Sequence, residues 1–324
     1  MKIEEINIDC AEEILRILDP AVNSWSEWVF RGQSDSEFKL IPAIWREERR
    51  KDFNKFKSSI DSSYMRKHLN DYMEREQITF DVNIINNIIE ALLFIKFENY
   101  ILSSFYERAN AAGLKIPSRA MQLLNVYNPD YWRDEKSLSF GLQLNNYHDI
   151  IQQRSKQVRY SSPLLFEPQI PQHYGLPTRI LDWTTNPRKA IFFAAYDFLK
   201  NRESKSKKIA IYAFRINTMF NRNGENPILL EKLHNRYNNK FLHHQDGCFT
   251  RTYSESFYYS NGEWPSIEKT YEEIENENIC VKKYNIDAKH VKEILERLYR
   301  SGISISSIMP DYTHVAEETL VDLL

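Results

Sequence analysis

The sequence predicts an α+β fold: small mixed or antiparallel sheets interrupted by a large helical insertion. Three observations lead there. Residues 83–110 carry Ile85, Ile88, Ile89, Leu92, Ile95 and Leu102 at helical spacing. Apolar residues cover much of that circumference, the pattern of a buried helix. Short β-branched and aromatic runs at 28–30, 208–215, 249–253 and 279–286 read as strands. Helical patterns stand between those runs, so strands and helices interleave on either side of one long helical block.

Each element follows from local pattern. Residues 11–19 place apolar side chains at helical spacing, and Trp28-Val29-Phe30 then reads as a strand ending in Arg31-Gly32-Gln33-Ser34. Phe38–Pro42 reads as extended and is stopped by proline. Arg46–Lys57 is a charged run, read as a solvated helix face. Gly113 ends the long helix and Pro117 begins another segment. Nothing between 46 and 160 looks like chemistry. Asn186-Pro187 supplies a cap and a first-turn proline ahead of Ala190, Ile191, Ala194 and Phe198. Asp287 caps a helix through Val291, Ile294, Leu295 and Leu298, with Gly302 just past its end. Glu317 and Glu318 fall on a short terminal helix and read as solvated. The division is a core of 1–45 and 161–324 with a helical insertion of 46–160.

Composition narrows the function classes. The chain has 324 residues, 42% hydrophobic and 27% charged, with a formal net charge of −2. At ~150 residues per domain this length gives two domains, or one with a large insertion. The charge balance argues against a generally basic nucleic-acid coat. Three widely spaced cysteines, Cys10, Cys248 and Cys280, form no disulfide framework and no CxxC pair, which points to a reducing cytoplasm. The acidic N-terminus is unlike a signal peptide, and the longest apolar run, Ala190–Tyr196, is far short of a membrane span. Glycine is scarce, with 8 in the chain, and neither G-x-G-x-x-G nor a P-loop occurs.

Four of those glycines sit in polar clusters, where a backbone needing positive φ or a close approach would keep them. In Phe30-Arg31-Gly32-Gln33, an arginine at a strand end offers a planar fork to phosphate or carboxylate, a surface ion pair being the competing reading. The second cluster, Gln172–Pro187, packs His173, Tyr174, Thr178, Arg179, Asp182, Trp183, Thr184 and Thr185 ahead of a helix start. Backbone N–H groups there favour an anion. Arg179 and Asp182 are equally able to pair with each other, and Trp183 to be core or to stack on a base. In His243-His244-Gln245-Asp246-Gly247-Cys248 the ligand spacing of a metal site is missing. A polar strand entry with Gln245 facing a cleft fits better, so no metal is expected. In Ile308–Tyr312, Asp311 reads as a cap or turn residue more readily than as a catalyst.

Together these clusters resemble the FRG domain family, named for its Phe-Arg-Gly motif. The resemblance runs through Phe30-Arg31-Gly32-Gln33, Pro42 and Trp45, then the specific stretch QHYGLPTRILDWTTNP at 172–187 and the helix at 190–195. It continues through Gln245-Asp246-Gly247-x-Phe249 and Met309-Pro310-Asp311, nearly the whole chain, with 109–113 and 116–117 resembling the family's insertion. The family's closing Phe-Pro-Asp-Leu-Asp-Gly is here Met-Pro-Asp-Tyr-Thr-His, without the second acid and the glycine.

A more distant similarity is to ADP-ribosyltransferases. It implies NAD as the substrate and a macromolecular acceptor, in an enzyme of the ADP-ribosyltransferase or NAD glycohydrolase type acting as a toxin or defence effector. Arg31, with Gly32 and Gln33 and the helix start at Asn186, would hold the dinucleotide. Tyr174 or Trp183 would stack on nicotinamide. His173, Thr178, Arg179 and Thr184 would shape the site, and Gln245 would orient the ribose. An oxocarbenium-like transition state needs a carboxylate, which Gln245 lacks. Asp182 or Asp246 must supply it, or catalysis is altered or lost. Two rival classes stay open. One is a non-catalytic sensor of a nucleotide or phage-derived ligand. The other is a nuclease centred on His173 and Asp182, against which the missing paired-acid metal motif counts.

Overall fold

The computed structural model describes residues 3–134, 165–200, 207–215, 228–231, 240–252, 255–272 and 281–321. Its strands are β1 (Glu4–Ile8), β2 (Trp28–Gln33), β3 (Ile180–Thr184), β4 (Lys208–Arg215), β5 (Ile228–Glu231), β6 (Gly247–Thr252) and β7 (Val281–Asp287). The helices of the first half are α1 (Ala11–Ile17), α2 (Arg50–Lys57), α3 (Ser63–Glu76), α4 (Val82–Ala111), α5 (Ser118–Leu124) and α6 (Pro129–Arg133). Those of the second half are α7 (Gln169–His173), α8 (Pro187–Lys200), α9 (Lys240–His244), α10 (Glu255–Asn261), α11 (Ile267–Glu272), α12 (Val291–Arg300), α13 (Ile305–Ile308) and α14 (Tyr312–Val321). The class is α+β, and the strands join in one mixed sheet of order β1-β7-β4-β2-β3-β6-β5. The β1–β7 pair is parallel and every other pair antiparallel.

Strand β2 is the pivot of the sheet. It pairs with β4 along its whole length, from Trp28–Arg215 to Gln33–Ala210, but meets β3 only at Phe30–Thr184. Past that point β2 and β3 part. Alternation along β2 puts Phe30 into a core with α1, α8, α12 and α13, and Val29 into the opposite face with Leu181, Trp183, Tyr212 and Phe214. Gly32 lies on the Phe30 side, directly under the backbone of α8 at Ala190 and Ala194.

The helical block is organised by α4. Asp81 caps it, its Oδ1 accepting from Asn83 N at 2.7 Å. Gly113 at φ +73 ends it, with Leu114 N donating to Ala109 O at 2.9 Å, a Schellman closure. Its apolar stretch packs against Phe53, Phe56, Met65, Leu69 and Tyr72. Tyr258, Tyr259 and Trp264 complete this core from the far end of the chain, and Trp45 and Trp264 stack at 4.4 Å.

Phe38–Pro42, read as an extended segment, pairs with no strand of the sheet. Leu40 N donates to Glu268 Oε1 at 3.0 Å and Leu40 O accepts from Ile267 N at 2.9 Å, so the segment is tied to the start of α11 instead of to the sheet. Glu317 and Glu318 are not free in solvent. Glu317 accepts from Tyr196 Oη at 2.8 Å and Glu318 from Ser306 N at 2.9 Å, which pins α14 to α8 and α13. The strands β1 and β3 escape notice because polar residues interrupt both: Glu4, Glu5 and Asn7 in one, Asp182 and Thr184 in the other.

Candidate functional site

Two cavities meet at His173. The larger is a cleft of about 1000 Å³ between α4 and the segment after α7. One stripe of α4, through Tyr100, Ser104, Phe105 and Arg108, forms its first wall, and His173, Tyr174 and Leu176 form the second. Lys115 and Asp311 also line it. The smaller cavity is lined by Gln169, His173, Asp182, Trp183, Gln245 and Cys248, among others. His173, Asp182 and Gln245, the three residues with expected catalytic roles, therefore share one small cavity. Position in the fold explains it. Asp182 is on β3, Gln245 enters the adjacent β6, and His173 ends α7 beside them.

Asp182 is held from two sides. Its Oδ2 accepts from Gln172 Nε2 at 2.7 Å, and Gln172 in turn accepts from Thr178 Oγ1. Arg31 Nη1 donates to the Asp182 carbonyl at 2.7 Å and lies 4.0 Å from Oδ2. The Asp182 side chain is nevertheless 60% exposed. Arg31 fills the gap where β2 and β3 part, standing in for a missing backbone rung. It is not among the residues that line these two cavities, and its Nη1 is engaged by the Asp182 carbonyl. Burial lowers the Arg31 pKa from its ordinary value, and Asp182 opposes that effect.

The turn bearing Gln245 is clamped. Thr184 Oγ1 donates to Gln245 O at 2.6 Å, and Thr185 N donates to Asp246 O at 3.0 Å. Asp246 takes a left-handed conformation, φ +49, and its Oδ2 accepts from Lys189 Nζ at 2.6 Å. This carboxylate also lies 3.5 Å from Asn186 Nδ2. At the helix start expected to bind pyrophosphate, the first N–H groups go to Asn186: Arg188 N donates to its Oδ1 at 3.1 Å and Lys189 N to its carbonyl at 3.1 Å. Asp246, paired with Lys189, is not the free carboxylate the chemistry needs.

Other residues expected at the site are tied into the fold. Arg179 is 1% exposed; its Nε lies 2.5 Å from Glu98 Oε2 and its Nη1 2.7 Å from Glu255 Oε1. Burial opposes its charge, but Glu98 and Glu255 outweigh burial and raise its pKa. It is a structural cation joining α4, the start of β3 and α10, and its partner is not Asp182. Thr178 is fully buried, and Thr184 is spent on the Gln245 turn. Trp183 is core, its Nε1 donating to Thr250 Oγ1 at 2.9 Å, and it also lines the small cavity. Gly32 and Gln33 belong to the sheet, Gly32 under α8 and Gln33 buried at the strand end. Tyr174, by contrast, is 67% exposed, its ring nearly parallel to Phe105 at 6.4 Å.

Burial lowers the His173 pKa from its ordinary 6.5, with Asp182 and Asp311 opposing. His173 is therefore neutral near pH 7. Its folded pKa lies below the unfolded value, so its contribution to stability is full above about pH 6.5 and is lost as pH falls through the folded pKa. Urea unfolding at pH 7.0 and 5.5 should show a stability loss on acidification that His173→Gln reduces. An identical pH dependence in the variant would contradict this.

Sequence reasoning missed the first wall of the cleft, because Phe105, Arg108 and Lys115 lie in the block that looked devoid of chemistry. The one local signal is the stripe Tyr100, Ser104, Arg108, four residues apart on one helix face. No helix among the described residues is long and apolar enough to cross a membrane. No curated protein and no solved structure matches the chain. A family model does match, over a span that runs from Glu98 through the cleft-lining stripe of α4 to the stretch 172–187, and leaves out Arg31 and Gln245. Residues 98–203 match the FRG domain.

Proposed function

We propose that this FRG-domain chain binds NAD in the cleft and breaks its nicotinamide–ribose bond, with water or a macromolecule as acceptor. The observation that carries this reading is His173, which lines both the cleft and the cavity containing Asp182 and Gln245. Tyr174 offers a planar face to an aromatic ring. Asp182 steadies the positive charge that grows on the ribose as nicotinamide leaves with the bonding electron pair. The Gln245 amide orients ribose hydroxyls, and neutral His173 separates the reacting sugar from the rest of the cleft.

The test is nicotinamide release from NAD, run beside calorimetric binding. Asp182→Asn should lower release about 100-fold and leave NAD affinity within a few-fold. Tyr174→Ala should weaken binding. Equal release by wild type and Asp182→Asn would remove Asp182 from the chemistry, and no NAD binding at all would sink the proposal. A second reading, a sensor that binds without turnover, draws support from Gln245 standing where a carboxylate is needed and from the restraint on Asp182 by Gln172 and Arg31. Tight binding with no release would select it.

A further inference from the structure

We propose that Arg108 and Lys115 form a diphosphate subsite of the cleft, so that the helical block recognises the charged middle of a nucleoside-diphosphate ligand. The inference rests on the cleft being a nucleotide site, but not on turnover there. Both residues are exposed and line the cleft, and neither forms an ion pair or a side-chain hydrogen bond among the described residues. Other cations nearby are committed: Arg133 to Tyr100, Lys96 to Asp134 O, Arg179 to its two glutamates. Two uncommitted cations beside an aromatic wall match an anion joined to a ring.

Position sets the order of the ligand. Tyr100, Ser104 and Arg108 follow one another on a single face of α4, so Tyr100 and Arg108 are about 12 Å apart along the axis. Phe105, three residues before Arg108, is its neighbour on the surface, and Tyr174 lies against Phe105. Leu114 N bonds Ala109 O at 2.9 Å, which returns the chain before Lys115 to the same end of α4 as Arg108. The two cations therefore neighbour the aromatic wall, and His173 packs edge-on against Tyr174 at 5.1 Å. A ring at Phe105 and Tyr174 places an attached diphosphate at Arg108 and Lys115. The volume of about 1000 Å³ is at the upper end for small-molecule sites and exceeds what a nucleoside needs.

Arg108 has a competing role, since it lies in the last turn of α4 and complements the helix dipole. Lys115 lies beyond Gly113, outside the helix, and the dipole does not account for it. The two roles separate by experiment. Calorimetry on the full chain would compare NAD, ADP-ribose, ADP and adenosine, in wild type and in the double variant Arg108→Gln with Lys115→Gln. The three diphosphates should bind wild type at least about tenfold more tightly than adenosine does. The double variant should lose about that factor, leave adenosine binding unchanged and keep its melting temperature within a few degrees. An unchanged affinity for NAD in the double variant, alongside loss in Tyr174→Ala, would overturn the subsite and leave the nucleotide reading standing. Failure of wild type to bind any of the four would overturn both. Equal competition by a single-stranded RNA oligomer would make the cations a polynucleotide contact and would also overturn the subsite. Diphosphate binding that depends on both cations, with no nicotinamide release, would keep the subsite and remove the enzyme.

Discussion

Arg179→Met should cost about 3–5 kcal/mol of folding stability, read as a fall in the urea midpoint with an unchanged slope. The arginine and its partners Glu98 and Glu255 are 1%, 0% and 5% exposed. Glu98 binds it twice, through Arg179 N at 2.8 Å and through Nε at 2.5 Å. Removing the cation leaves two carboxylates facing each other away from water. Glu255 Oε2 already has no hydrogen-bond partner among the described residues, so nothing close by takes over. Adding Glu98→Gln and Glu255→Gln to Arg179→Met should recover much of the loss, because an apolar and amide cluster avoids the uncompensated charge. A loss below about 1 kcal/mol in the single variant would show that water reaches the site and that the triad is not the tie between α4 and β3.

Gly32→Ala should cost about 3 kcal/mol or more, by overpacking. A Cβ at this position would stand 2.0 Å from Ala190 O and 2.9 Å from Ala194 N. Both obstacles are backbone, so no rotamer change relieves them and α8 itself must shift. That helix carries Lys189, which clamps the Gln245 turn, so under the proposed function NAD affinity should fall together with stability. Gly247→Ala is the natural comparison. Its Cβ would meet Leu242 Cδ1 at 2.4 Å, the end of a flexible side chain, and the cost should be clearly smaller. Equal effects of the two substitutions on the urea midpoint would contradict the close approach of α8 to β2.

These two residues also mark how far the sequence could be read. The element pattern was legible because it is local: the cap at Asp287, the stop at Gly113 and the start at Asn186-Pro187 each depend on neighbours within a few residues. The grouping of His173, Asp182 and Gln245 followed from the clusters and the family resemblance. Arg179 was misread because its partners lie 81 residues before it and 76 after it. No local pattern marks Glu98, which sits inside an apolar helix. The Asp246–Lys189 pair was equally invisible, since it depends on β3 and β6 being neighbours. The cleft joins two segments some 65 residues apart, and one of its walls lies on a helix whose sequence is dominated by core packing.

The parallel pairing of β1 with β7 also has a consequence for synthesis. Glu4–Ile8 leaves the ribosome well ahead of its partner Val281–Asp287, which follows roughly 270 residues later. At ~5–20 residues per second that is a wait of about 15–55 s. Strand β4 needs β7 along its free edge as well, from Lys208–Asp287 to Phe214–Val281. The nascent chain therefore holds an unpaired apolar edge, Ile209 to Phe214, until the last strand emerges. A release-arrested ribosome complex truncated before residue 281 should bind trigger-type chaperones more strongly than one extended past 321.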